Sequence, residues 1–156
     1  MPTHVYSAGR TPPTAFDHLL AHCFELTLSA WAMVAGGLSV FAAVTPGTSV
    51  SRSYDQLPMI FAALAGALLV CGGGGIVHGL FSNGSDLRTG FTRERMGLAL
   101  AGAGWAIYAV CIWSFSSASF VSWSLCLALF ASCVLRIVAT YRTERVHRSQ
   151  ISEASP

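Results

Sequence analysis

Few residues of this chain could do chemistry, and most fall near the ends of apolar runs. His18, His22 and Glu25 lie within about 60° of one another on a helix, which places two imidazoles and a carboxylate on one face. Such a face could ligate a divalent ion only if another helix completed the site. The plainer reading is a polar face at a membrane surface, and no metal is assigned. His78 could serve as an axial haem ligand, but no second histidine faces it from another core position, so no cofactor is assigned. Pairing with Glu25 or a backbone carbonyl is expected of it instead. Arg93, Glu94 and Arg95 open a third apolar segment, and Arg136 sits near the end of a fourth. Arg136 has two readings: a side chain snorkelling to headgroups, or a charge facing a water-filled cavity or an acidic partner such as Glu25. His22, Glu25, His78 and Arg136 form the candidate polar layer.

No HExxH, GxSxG or P-loop occurs, and no two carboxylates fall at mid-membrane depth, so the chain reads as non-enzymatic. The five cysteines, Cys23, Cys71, Cys111, Cys126 and Cys133, lack metal-finger spacing, and an odd number inside apolar runs reads as packing residues rather than a disulfide framework.

The elements that must position these groups follow from composition. The 156 residues are 53% hydrophobic and 10% charged, with a mean hydropathy of +0.57; a soluble domain carries about 25% charged residues. The predicted class is an all-α integral membrane four-helix bundle. Four uncharged runs approach the ~20 residues needed to cross a bilayer: residues 26–44, 57–81, 96–115 and 118–135. The first run is too long for the h-region of a signal peptide and is read as a retained helix. The stretches "TPGTSVSRSYDQLP" and "SNGSDLRTGFTRER" read as loops, and "SFSSAS" permits only a tight antiparallel hairpin.

All nine basic residues are Arg, and eight flank one side of the predicted spans against Arg52 alone on the other. Positive-inside bias then gives N-in, C-in topology in the cytoplasmic (inner) membrane. Trp113, Phe115, Phe120 and Trp123 form an outer aromatic belt. A net charge of +2 without a continuous basic patch carries no argument for nucleic acid, and no nucleic-acid partner is expected. The partition is a disordered tail over 1–13, a helical domain over 14–148 with its first helix capped by Thr14, and a disordered tail over 149–156. The fourth helix is expected to continue past the membrane surface through "IVATYRTERVHR".

Four successive glycines, Gly72–Gly75, sit in the second span. In water each costs about 1 kcal/mol relative to Ala; in hydrocarbon the backbone must pair with itself, so the helix persists and small residues admit close neighbours. Small residues recur every fourth position at Ala63, Ala67, Cys71, Gly75 and Gly79, and again at Ser124, Ala128 and Ser132. Both series are predicted packing ridges, with a smaller notch at Gly97, Ala101 and Gly104 and contributions from Ala32 and Gly36. The second helix is expected to be central.

This layout resembles small four-pass phage membrane proteins: holins of actinobacterial phages and superinfection-exclusion channels of the RexB type. The resemblance spans about residues 14–148 and rests on "RERMGLALAGAGWAIYAV", the tight hairpin and the basic "YRTERVHR". It implies a homo-oligomer in the lipid bilayer that dissipates the proton gradient when triggered, with a cytoplasmic protein partner for the exclusion type. No site residues carry over. The alternative expectation is a non-catalytic anchor or accessory subunit of a larger membrane complex. A transporter is disfavoured by the lack of polar residues at the midplane.

Overall fold

The computed structural model describes residues 22–45, 47–48, 57–81, 87–115 and 120–154, the side chains of 87–89, 91, 115 and 143–154 excepted. Four helices make up the fold: α1 (Cys23–Val44), α2 (Met59–Phe81), α3 (Leu87–Phe115) and α4 (Phe120–Ala154). Each contains a segment long and apolar enough to cross a membrane. The chain is all-α as expected, with no strand among the described residues.

Two boundaries differ from expectation. α3 begins at Leu87, so Arg93, Glu94 and Arg95 lie within the helix rather than opening it. Arg, Glu and Met are good helix formers and carry the helix through a segment that reads as a loop. α4 runs to Ala154, well into the stretch expected to be a tail. The expected cap at Thr14 and the residues 1–21 around it lie outside the described residues.

Packing is serial: α1 lies along α2, α2 along α3, and α3 along α4. Neighbours run antiparallel, since Gly36 meets Gly66 while Ser29 meets Gly73, and Gly104 meets Leu69 while Gly79 meets Glu94. α2 is central, as expected, with α1 and α3 on different faces. The core is formed by Leu28, Ala32, Leu69, Ile76, Leu98, Trp105 and Ile112, joined by Cys126 and Cys133 of α4.

The glycine run divides its work between both neighbours. A Cβ on Gly72 would meet the α3 backbone at Gly97 and Ala101, and one on Gly73 would meet Ser29 and Met33 of α1. Gly75 faces Gly97, whereas a Cβ on Gly74 would meet nothing within 4 Å. Glycine is required here because two helices approach α2 at the same level.

The expected ridge of every fourth residue does not form one contact line within the chain. Gly75 and Gly79 meet α3, Ala63 is half-buried, and Ala67 and Cys71 are exposed. A step of four residues advances about 40° around a helix, so a ridge of five positions winds about 160° off any straight contact line. The contact lines repeat every seventh residue instead: Ala65, Gly72 and Gly79 on α2 toward α3, Gly66 and Gly73 toward α1, and Gly97 and Gly104 on α3. A seven-residue step drifts only about 20° and keeps two helices in contact. On α4 the same rule selects Cys126, Cys133 and Thr140 as the buried line. Ser124 and Ser132 are half-buried and Ala128 is exposed, with Ser132 donating to its own helix at the Ala128 carbonyl.

Candidate functional site

The polar groups of three helices meet at one end of the bundle, where α1 and α3 begin, α2 ends, and α4 passes its last apolar turns. Glu25 projects from the first turn of α1, a position favoured for an acidic residue by the helix dipole. Arg136 Nη2 lies 2.6 Å from Glu25 Oε1, and its Nε lies 3.4 Å from Glu94 Oε1. Both carboxylates are almost wholly buried, with side-chain exposures of 6% for Glu25 and 7% for Glu94, whereas Arg136 remains 30% exposed. The guanidinium thus plugs the bundle end, with one edge on two carboxylates and another open. The longer contact to Glu94 does not complete a hydrogen bond. His22 Nδ1 stands 3.8 Å from Glu25 Oε2 and can add charge to the cluster when protonated.

Of the expected polar layer, His22, Glu25 and Arg136 come together, and the pairing of Arg136 with Glu25 is present. His78 does not join them. It is exposed, and its Nε2 lies 3.2 Å from Arg93 Nη1. Position explains this: on α2 the cluster-facing line ends at Ile76 and Gly79, and His78 falls on the far side of the helix. Glu94 takes the place expected of His78. The sequence signal for Glu94 is its position three residues before Gly97, which turns it toward the helices α3 packs against.

A second tie holds α4 at the same end. Arg95 Nη2 donates to the Thr140 carbonyl at 3.1 Å, and its guanidinium stacks 3.8 Å over the Tyr141 ring. Arg93, Glu94 and Arg95 therefore address three different surroundings from consecutive positions.

Away from this end the polar groups are few and mostly satisfied. Ser29 donates to the Gly73 carbonyl at 2.7 Å. Tyr108 of α3 donates its hydroxyl to Ser39 of α1, and Ser39 donates to Ala35. Ser29 and Ser39 were missed because a lone Ser in an apolar run gives no sign of which neighbour it meets. The Trp105 indole N–H is buried without a hydrogen-bond partner. At the opposite end Phe120 and Trp123 pack edge to face and Trp113 is exposed; the Phe115 side chain is outside the described set.

No group of three or more His, Cys, Asp or Glu residues able to hold a metal occurs among the described residues; His18 lies outside them. The site can hold, exchange or expose charge at one end of an apolar bundle. Comparison with family models, with curated proteins and with solved structures finds no match for any of the three.

Proposed function

We propose that the protein is a multi-pass protein of the cytoplasmic membrane, N-in and C-in, that self-associates and lets ions cross, with Glu25, Glu94 and Arg136 on the route at the cytoplasmic end. One observation carries this reading: two buried carboxylates from separate helices share one guanidinium that is itself partly open. Charges inside membrane-spanning segments are costly and mark ion or proton pathways more often than packing. Topology rests on the distribution of Arg, and the charged end corresponds to the Arg-rich side. Self-association is supported by α4, the least covered of the four spans. The role is that of a holin-like or superinfection-exclusion-like protein, non-enzymatic and without a cofactor.

A second reading is favoured by the same uncovered α4 surface. An accessory subunit would bury it against another membrane protein, with the ion cluster acting only to join helices.

The test is induced expression in bacteria with a membrane-potential dye, comparing wild type, Arg136→Gln and Glu25→Gln at matched membrane levels. Conduction predicts depolarisation by the wild type and altered depolarisation in both variants. A wild type that leaves the potential intact at every induction level and trigger turns the choice to the subunit reading. Depolarisation identical in all three removes the charge cluster from the route.

A further inference from the structure

Serial packing leaves three pairs of helices without extended contact among the described residues, and charges bridge one of them. α1 lies along α2, α2 along α3 and α3 along α4, but α1 and α4 share no comparable interface among the described residues. Arg136 of α4 nevertheless reaches Glu25 of α1 at 2.6 Å. The named polar ties of α4 to other helices fall between Arg136 and Tyr141: Arg136 to Glu25, Arg136 to Glu94, and Arg95 to Thr140 and Tyr141. Toward the aromatic end α4 rests on α3 through apolar contact, with Cys133 and Phe130 lying over Gly102. Its outer hydroxyls turn back on their own helix, Ser124 bonding Val121 and Ser132 bonding Ala128.

We propose that α4 is a latched helix. The Glu25, Arg136 and Glu94 cluster holds its charged end against α1, and releasing the cluster parts α4 from α1 while the α3–α4 contact persists. One buried stripe of α3 runs between its α2-facing line, at Gly97 and Gly104, and its α4-facing Gly102. Glu94, Leu98, Trp105 and Ile112 fall within about 40° of one another by helical rotation, and all four are buried. The stripe includes the Trp105 indole N–H, which has no acceptor in the closed arrangement. Opening gives that N–H access to water, to lipid or to a second chain. The asymmetry of the cluster suits a latch. Glu25 is held by a short contact, Glu94 by a longer and poorly aligned one, and the exposed edge of Arg136 admits competing ions.

The latch is tested by distance rather than by ion flux, so its failure is distinct from failure of the conduction reading. Spin labels are attached to a ketone-bearing amino acid placed at Val44 and at Val121, exposed positions at the aromatic ends of α1 and α4, leaving the native cysteines untouched. The protein is reconstituted in vesicles and diluted with unlabelled chain, so that only distances within one chain are read. The wild type is expected to give one narrow distance distribution. Glu25→Gln and Arg136→Gln should each add a longer population, and the exchanged pair Glu25→Arg with Arg136→Glu should remove it again. Tyr108→Phe, which breaks a hydrogen bond between α1 and α3 but leaves the cluster alone, should keep the wild-type distribution. An unchanged distribution in Glu25→Gln overturns the latch. Broadening by Tyr108→Phe equal to that by Glu25→Gln overturns it too, because the bundle is then generally loose. Where a single variant does not fold, the exchanged pair decides: a narrow distribution supports the latch and a broad one refutes it.

Discussion

Replacing Gly72 with alanine should destabilise the bundle, while the same change at Gly74, two residues away, should not. A Cβ on Gly72 would stand 2.8 Å from both the Ala101 Cα and the Gly97 carbonyl oxygen, where ordinary contact begins at 3.4 Å, and the Ala101 nitrogen is nearer still. These obstacles are backbone, so no rotamer change relieves them, and α2 and α3 must separate by at least the 0.6 Å difference between 3.4 and 2.8 Å. A gap of about 0.5–1 Å forfeits a quarter to a half of the dispersion attraction between facing atoms, and forcing an extra methyl into a packed interface costs about 1–3 kcal/mol. At Gly74 the new Cβ would meet nothing within 4 Å. The gain in helix propensity from Gly to Ala, about 1 kcal/mol in water, is common to both variants and cancels in their difference. The two should therefore differ by about 1–3 kcal/mol, or roughly fivefold to 150-fold in the unfolding equilibrium. Reversible unfolding in mixed micelles of rising SDS content, followed by helicity, measures this. Equal midpoints for Gly72→Ala and Gly74→Ala would refute the argument that backbone proximity dictates the glycine run.

Gly75→Leu should impair folding or assembly far more than Val70→Leu, because even a Cβ at Gly75 would come within 3.1 Å of the Gly97 Cα; membrane yield and oligomer distribution of the two variants check this. Ser39→Ala should cost more stability than Tyr108→Phe, since the first removes both the bond from Tyr108 and the bond to Ala35, while the second leaves Ser39 bonded to Ala35. The difference should be about 1 kcal/mol, read from the same micelle titration. Cysteines placed at Ser51 and Ser85 should be labelled by an impermeant reagent from outside intact cells at position 51 only; labelling at 85 would reverse the topology.

Helix number, class and the central place of α2 were legible because they depend on quantities that sum over many residues. Four uncharged runs and their separations constrain the answer whatever the individual contacts are. The contact lines were harder to read, and α2 shows why. Small residues are so dense there that spacings of four and of seven both find matches. Ala63, Ala67 and Cys71 satisfy the first, and Ala65, Gly72 and Gly79 the second. Only the drift of the helix distinguishes them. Two antiparallel helices remaining in contact over five turns need the slower drift of the heptad, and the buried positions follow it. The cysteines obey the same rule. Cys126 and Cys133 are seven apart on the α3-facing line of α4, which accounts for their burial without any redox role.

The charged end was legible in His22, Glu25 and Arg136 but not in its fourth member, where Glu94 stands in place of His78. Glu25 and Arg136 lie at matching depths on helices that both approach the Arg-rich side, and a buried carboxylate there requires a cation. Which of three adjacent residues on α3 enters the cluster depends on the rotation of that helix. Successive positions point about 100° apart, so only one of Arg93, Glu94 and Arg95 can face the interior. The choice is settled by the heptad line through Gly97 and Gly104, which turns Glu94 inward, Arg93 toward His78 and Arg95 toward Tyr141. The small-residue seam therefore does more than bring backbones close. By fixing the rotation of α3, it places a second carboxylate beside Arg136, 3.4 Å from its Nε but without a completed hydrogen bond.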